Sequence, residues 1–192
     1  MREFVLASAS PRRKELLEQI GITFRTCVSE TEEVISHNEP ELIVQELAYM
    51  KANDVFERGN EDSVVIGADT IVVYDGRILG KPKSEEEAYE MIKMLQGKVH
   101  RVYTGMSVIW MENGRVRSNS CVTGTEVELY DMNEEEIRAY ISSNEPYDKA
   151  GGYAIQGFFA RYVKQIKGDY NNVVGLPVGR LYQILNGLKL LS

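Results

Sequence analysis

A short strand followed directly by a basic helix start constrains this chain more than any other stretch. The apolar run Phe4–Leu6 predicts a buried strand, and Pro11 after Ser10 predicts a helix start, because proline has no N–H to lose there. Small residues before the turn let an anion approach free backbone N–H groups, while Arg12 and Arg13 add positive charge. Because arginine there opposes the helix dipole, two in succession indicate either a bound anion or a solvated first turn.

Composition excludes several classes of protein. The 192 residues, 43% hydrophobic and 27% charged, predict one globular domain or two small lobes that share a sheet. A net charge of −7 argues against a nucleic-acid coat protein but leaves room for a local basic cluster. The apolar segment between Arg2 and Pro11 is too short for a signal peptide, and no other run approaches a membrane span. We therefore expect a cytoplasmic protein in which Cys27 and Cys121 are free thiols.

An acidic stretch follows the second predicted strand, which covers residues 24–28. Glu30, Glu32 and Glu33 lie close together just after this strand. Crowded carboxylates at such a place can hold a divalent cation. The alternative is a solvated acidic loop with no ligand.

A long helix is predicted to begin at Pro40, and its apolar stripe includes Leu47 and Val55. Lys51 lies four residues from each of them and therefore on the stripe itself. Either the Lys51 side chain extends to water, or its ammonium group points into a cleft and meets a phosphate group.

The unbroken apolar run in residues 63–70 predicts a strand buried on both faces, and Asp69 is expected at its end. Ligands of open α/β sheets bind at such carboxyl ends, although an aspartate can also cap a turn. The chain continues as a strand over 71–74, and Pro82 holds Lys81 in an extended conformation.

Residues 145–157 form a second chemically dense stretch, with an acid, a base, paired glycines and an amide. Such loops often make contact with ligands, although this one can also be a glycine-rich connection. Capping boxes are predicted at 84–87 and 133–136, and a strand is predicted over 158–166.

Four stretches in this order resemble the Maf family of nucleoside triphosphate pyrophosphatases, and the resemblance runs from about residue 4 to about residue 178. The stretches are Ser8-Ala9-Ser10-Pro11-Arg12-Arg13, Gly67-Ala68-Asp69-Thr70, Gly80-Lys81-Pro82, and Asp148-Lys149-Ala150-Gly151 with Ile155-Gln156-Gly157. The resemblance implies an α/β fold like that of inosine triphosphate pyrophosphatase, with a long twisted mixed sheet flanked by helices and a central cleft between two lobes. It further implies a divalent cation such as Mg²⁺ or Mn²⁺, a cytoplasmic homodimer, and a role in removing non-standard nucleotides or in septum formation.

The resemblance also assigns roles to residues. Asp69 matches the proton acceptor of the family, and the other positions matched to catalysis are Glu33, Lys51 and Lys81. The expected substrate-binding residues are Ser8, Arg12, Arg13, Thr70, Asp148, Lys149 and Gln156, and the expected metal ligands are Asp69, Glu32 and Glu33.

Arg12, Thr70 and Gln156 have the residue types of the family branch that acts on dTTP and UTP, whereas the branch that acts on 7-methyl-GTP differs at these places. Residues 151–154 depart from the family pattern, which is closer to Gly-Ala-Tyr-Gly, and this departure concerns the loop beside Gln156.

The sequence therefore predicts hydrolysis of dTTP and UTP, or of modified pyrimidine nucleotides, to the monophosphate and pyrophosphate. Two alternatives stay open, namely a non-catalytic nucleotide-binding regulator of cell division and a metal-dependent phosphohydrolase of another modified nucleotide. We expect neither nucleic acid nor a membrane as a partner.

Overall fold

The structure is a computed structural model that describes residues 2–191, and within this range seven strands form one mixed sheet. The strands are β1 Phe4–Leu6, β2 Phe24–Thr26, β3 Val64–Tyr74, β4 Arg77–Leu79, β5 Val99–Glu112, β6 Arg115–Leu129 and β7 Val163–Lys167. The strand order is β2-β1-β3-β5-β6-β7, and β4 pairs with β3. β1 is parallel to β2 and β3, whereas the β3–β4 and β6–β7 pairs are antiparallel. The expected α/β fold with a mixed sheet is confirmed.

Along the described part of the chain, four helices lie between strands and two more follow the last strand. They are α1 Pro11–Gln19, α2 Pro40–Glu57, α3 Glu85–Leu95, α4 Glu134–Ile141, α5 Tyr170–Val174 and α6 Val178–Gly187. The predicted starts of α1 and α2 at proline are confirmed, because both prolines occupy the first helical position. In the part of the chain that the structure describes, no helix combines the length and apolar character needed to cross a membrane.

The chain folds into two compact units, each formed by residues that lie close to one another in space. The first unit comprises Met1–Asp69, Thr104–Thr123 and Gly175–Ser192, and the second comprises Thr70–Tyr103 and Gly124–Val174. Each unit has a buried apolar core of its own. In the first unit a buried cluster contains Val5, Ala7, Ala52, Val55, Phe56, Val65 and Ile109, and the cluster of the second unit includes Val72, Ile92, Leu95, Leu129, Ile137, Tyr140 and Phe159.

In the first unit, α2 lies directly against the strands at two glycines. A Cβ atom added to Gly67 would lie 2.3 Å from the carbonyl oxygen of Ala48 and 2.8 Å from the backbone nitrogen of Ala52. One added to Gly105 would lie 2.0 Å from the carbonyl oxygen of Val44. These contacts leave no room for a side chain, so glycine is required for the close approach of α2.

In the second unit, several buried aromatic side chains pack around residues 152 and 153, in the segment that follows α4. Nε2 of His100 lies 2.5 Å from the hydroxyl oxygen of Tyr153, and both side chains are buried. The Tyr140 hydroxyl donates to the carbonyl oxygen of Gly152 at 3.1 Å, and the rings of Tyr153 and Phe159 are 4.8 Å apart. Residues 152 and 153 are thus fixed by two buried side chains, one from β5 and one from α4.

Two local predictions need correction, and one short helix was missed. The strand predicted over 158–166 begins only at Val163, because Phe158–Tyr162 forms a 3₁₀ helix. Three residues per turn bring Phe159 and Tyr162 to the same side, where both are buried. The short helix α5 was not predicted. Finally, Ser84 caps α3 as predicted, but the Glu87 carboxylate accepts from the N–H of Lys83 and the box does not close. The box at 133–136 is complete.

Gly67→Ala should destabilise the protein, because its new methyl group has to push the α2 backbone away from β3. We expect the free energy of unfolding to fall by about 1–3 kcal/mol, the usual cost of overpacking. Gly179→Ala is the matched control, since its methyl group meets nothing within 4 Å and α6 gains a better helix former. Urea denaturation of both variants measures the difference, and equal stability of the two variants would contradict the close packing.

The buried His100 should make stability depend on pH between about 6.5 and 4. Burial lowers the pKa of His100 from 6.5 to about 4, so in this window the unfolded chain binds a proton that the folded chain does not. Stability is therefore lost as the pH falls through the window, and the loss amounts to about 3 kcal/mol.

Chemical denaturation of the wild type, His100→Gln and His37→Gln at pH 7 and pH 4 tests this contribution. His37, the other histidine of the chain, is exposed, so its variant should keep the wild-type loss. His100→Gln should lose less stability on acidification, and an unchanged loss would show that His100 is not responsible.

Candidate active site

The basic helix start is built around the hydroxyl group of Ser8. Ser10 occupies the N-cap position of α1 with an extended backbone, its side chain makes no capping hydrogen bond, and its N–H donates to Ser8 Oγ at 3.2 Å. Arg13 Nη1 donates to the same oxygen at 3.1 Å, and its Nε donates to the carbonyl oxygen of Gly175 at 2.8 Å. Arg13 therefore connects the loop before α1 to residue 175, which precedes α6.

The charges around Arg13 include a second arginine and a carboxylate. Burial lowers the pKa of Arg13, the negative charge of Asp69 opposes this effect, and the neighbouring Arg12 reinforces it. The guanidinium group of Arg13 nevertheless stays protonated. The first turn of α1 contains no acidic residue, so the positive charge at this helix end is not neutralised from within the turn.

Lys51 lies between two carboxylates. Its ammonium nitrogen is 2.5 Å from Asp69 Oδ1 and 2.8 Å from Glu33 Oε1. The side chains of Lys51 and Asp69 are only 18% and 14% exposed, whereas that of Glu33 is 53% exposed. The Lys51 ammonium group is thus held by carboxylates and does not simply extend to water, while its contact with a phosphate group stays a prediction.

The sequence predicted that Asp69 lies at the end of a strand, and this prediction is wrong. Asp69 lies within β3. β3 continues without interruption from Val64 to Tyr74, but its pairing with β1 ends where Ile66 meets Leu6. Asp69 is therefore three residues beyond the carboxyl end of β1, on the side from which the chain enters α1. The end of the apolar run at Asp69 predicts the end of the strand. In the structure, the polar residue interrupts the run but the strand continues.

The close packing of α2 explains why Lys51 reaches Asp69. Gly67 contacts the α2 backbone at Ala52, which is the residue after Lys51. Side chains on a strand alternate between faces, so Asp69 points to the same face as Gly67. The lysine and the carboxylate are therefore brought together by neighbours that lack bulky side chains.

A divalent cation is implied by the resemblance, and the carboxylates can be compared with what such an ion needs. Among residues 2–191, no group of three or more Asp, Glu, His or Cys side chains is arranged to hold a metal ion. Glu32 is exposed, and the Glu33 and Asp69 carboxylates meet at Lys51 Nζ. Magnesium typically uses one or two protein carboxylates together with phosphate oxygens of a substrate. The pair Glu33 and Asp69 fits that arrangement.

The remaining candidates belong to the second unit. Thr70 is its first residue and is partly buried, Lys81 is exposed, and Gln156 is partly exposed. Lys149 Nζ is 2.5 Å from both Asp148 Oδ1 and the carbonyl oxygen of Glu145. The basic and acidic candidates of this loop thus contact each other, and the loop is held by its own side chains.

Two contacts fix the loop that carries these candidates. The N–H of Gly151 donates to the carbonyl oxygen of Gly80 at 3.0 Å, which connects the loop to the residue before Lys81. The Glu145 carboxylate accepts from the N–H of Phe158, and its other oxygen would lie 2.8 Å from a Cβ atom on Gly157, where φ is +80°. Glu145 was not among the predicted site residues, although it belongs to the dense stretch at 145–157.

The first unit therefore collects a basic helix start, a lysine and two carboxylates, a set of groups that suits a phosphorylated ligand and proton transfer. The family model described as "Maf-like protein" matches residues 3–188. The chain belongs to the Maf family.

Curated relatives cover nearly the whole chain. A protein of Agathobacter rectalis named "dTTP/UTP pyrophosphatase" is 51% identical over 201 residues, with 98% of each chain covered. Proteins with the same name from Lachnoclostridium phytofermentans and Bacillus cereus are each 51% identical, over 95% and 96% of this chain and 93% and 95% of their own lengths.

Similar solved structures are more distant. A HAM1 protein from Coxiella burnetii is 19% identical with a TM-score of 0.45 and covers 67% of this chain and 73% of its own. A nucleoside-triphosphatase/dITP/XTP pyrophosphatase from Mycobacterium abscessus is 11% identical with a TM-score of 0.40 and covers 68% and 75%.

Proposed function

We propose that this protein is a nucleoside triphosphate pyrophosphatase that hydrolyses dTTP and UTP to the monophosphate and pyrophosphate. The observation that carries the proposal is the contact of Lys51 with Asp69 and Glu33, in a unit that also contains the basic start of α1. The names of relatives at 51% identity over almost the full length support the reaction and the choice of nucleotide.

In the proposed reaction a water molecule attacks the α-phosphorus of the nucleotide. The new bond joins the water oxygen to phosphorus, the bond from the α-phosphorus to the α,β-bridging oxygen breaks, and pyrophosphate leaves. Asp69 accepts the proton of the water at Oδ2, while Lys51 holds Oδ1 and thereby fixes the orientation of the carboxylate. Arg12 and Lys81 are assigned to the negative charge that develops on the phosphates.

Glu33 and Asp69, together with Glu32, are the residues that would hold Mg²⁺ or Mn²⁺. A bound cation would lower the pKa of the attacking water and neutralise phosphate charge. Ser8 and Arg13 contact each other, so we assign them to the shape of the phosphate-binding loop.

Recognition of the base is assigned to the second unit. Gln156 offers one donor and one acceptor, which match the edge of uracil or thymine. Because an amide can turn over to suit cytosine as well, Thr70 and the backbone of the loop with Asp148 and Lys149 have to contribute to the choice.

The resemblance supports three further parts of this proposal: a cytoplasmic location, a homodimer and a role in removing modified nucleotides or in septum formation. The net charge of −7 supports a small phosphorylated substrate over nucleic acid. The proposed reaction does not depend on the location, the homodimer or the cellular role.

A panel of nucleoside triphosphates tests the proposed reaction. With Mg²⁺ we expect pyrophosphate to be released from dTTP and UTP faster than from purine nucleotides, and a chelator should stop the reaction. Orthophosphate as the first product would favour a phosphohydrolase of another kind. A nucleotide that stays intact on the protein would favour the non-catalytic regulator, and preference for 7-methyl-GTP would contradict the proposed specificity.

Asp69→Asn should lose turnover, because the amide cannot accept the proton of the attacking water. We expect kcat to fall by about 10²–10⁴-fold, the range for a lost general base. Asp75→Asn is the matched control, since Asp75 is an exposed turn residue with a φ of +48° that asparagine tolerates. A folded Asp69→Asn protein with near-normal kcat would remove Asp69 from this role.

A further inference from the structure

The acidic segment of residues 28–36, which carries Glu33, is attached to α2 at both of its ends. At the first end, Arg58 Nη2 donates to the carbonyl oxygen of Val28 at 2.6 Å and to Asp54 Oδ2 at 3.0 Å. The same Asp54 oxygen accepts from the N–H of Glu30 at 2.9 Å, and Arg58 Nη1 is 3.3 Å from the Glu30 carboxylate. Backbone and side-chain groups of the segment are therefore bound by one ion pair at the C-terminal end of α2, between Asp54 in its last turn and Arg58 just after it.

The second attachment is made by Glu46. Its carboxylate accepts from the N–H of Ser36 at 3.0 Å and from the Ser36 hydroxyl at 2.5 Å. Both hydrogen bonds from Ser36 lower the pKa of Glu46, and the one from the hydroxyl group has the larger effect. The carboxylate of Glu46 thus binds one residue of the segment through both of its oxygens.

Glu33 lies midway between these attachments, three residues after Glu30 and three residues before Ser36. Its carboxylate meets Lys51 at 2.8 Å. Lys51 and Asp54 are three residues apart on α2, and Arg58, the C-cap residue, follows Asp54 by four, so the three side chains lie along one face at the end of the helix. A single face of the helix therefore presents the lysine of the site and the pair that fixes the segment.

The stability of α2 alone does not explain an aspartate at position 54. It lies in the last turn, where the negative end of the helix dipole disfavours a carboxylate. Burial raises the pKa of Asp54, but hydrogen bonds from the Glu30 N–H and the Ser29 hydroxyl, together with Arg58, outweigh burial and leave it lowered. The favourable interactions of this carboxylate thus come from the acidic segment and from Arg58.

We propose that Asp54 is a positioning residue: together with Arg58 it fixes the acidic segment so that the Glu33 carboxylate meets Lys51 beside Asp69. Since Glu33 is 53% exposed, the attachment of its segment determines where its carboxylate lies. The effect on turnover rests on the proposed function, whereas the attachment itself can be measured without any reaction.

A double-mutant cycle separates positioning from a general loss of stability. Asp54→Ala should lower kcat for dTTP by about 10–100-fold, as expected for a residue that orients a site carboxylate. Glu33→Ala should also lower kcat, and adding Asp54→Ala to it should cost little more, because Asp54 acts through Glu33. Glu57→Ala, the exposed acid of the same helical turn, should keep the wild-type kcat.

The outcome that overturns the proposal is additivity. If Asp54→Ala lowers kcat by the same factor with and without Glu33, its effect does not pass through that carboxylate. Thermal melting of all four variants identifies any that fail to fold, and Asp54→Asn, which keeps the side-chain volume, then takes the place of the alanine variant.

Hydrogen exchange provides a readout that does not depend on turnover. Asp54→Ala should raise exchange in residues 28–36, at the Glu30 amide above all, and should leave β1 and β3 unchanged, whereas Glu57→Ala should change neither. Unchanged exchange in the segment would overturn the proposal. If the wild type hydrolyses neither dTTP nor UTP, the proposed function fails, and this exchange measurement still decides whether Asp54 holds the segment.

Discussion

The ion pair between Lys51 and Asp69 is the contact on which the arrangement of the first unit depends. Both side chains are mostly buried, so removing Lys51 would leave the Asp69 carboxylate without this ammonium partner in a partly apolar environment. The pair forms only because α2 lies directly against β3 at Gly67. A larger residue at that position would separate the helix from the strand and the ammonium group from the carboxylate.

The same contact connects the structural role of these residues to chemistry. A carboxylate that is held at one oxygen has a fixed orientation, and its other oxygen can face a water molecule. The arginines at the start of α1 carry the opposite charge, and the negative charge of Asp69 acts against the lowering of the Arg13 pKa by burial. Groups for proton transfer and for binding negative charge thus lie in one compact unit, which supports the proposed attack of water on the α-phosphorus of a nucleotide.

The parts of the fold that have local signals could be predicted from the sequence. The prolines at the first position of α1 and α2 and the capping box at 133–136 determine the starts of these helices within a few residues. The prediction of a strand over 158–166 was wrong in its first half, because the burial of Phe159 and Tyr162 on one side favours a 3₁₀ helix. The prediction that Asp69 ends its strand was wrong for a related reason, since the strands that pair with β3 determine how far it extends.

The site could be predicted only in part. The residue types at Asp69, Lys51 and Glu33 pointed to chemistry, but the distances among them depend on how α2 packs. The contact of Arg13 with the carbonyl oxygen of Gly175 has no signal in the sequence, because any residue provides that oxygen. The attachment of residues 28–36 by Asp54 and Glu46 is equally hidden, since a charged residue on a helix is usually read as part of a solvated face.

The most direct test of the account is a crystal structure with a dTTP analogue whose α,β-bridging oxygen is replaced by an NH group. We expect the α-phosphate beside Asp69, with one water molecule between the carboxylate and the phosphorus at about 3–3.5 Å from the latter. Arg12 should contact the phosphates, and Lys51 should still hold Asp69. A triphosphate bound away from Lys51 and Asp69 would contradict the account.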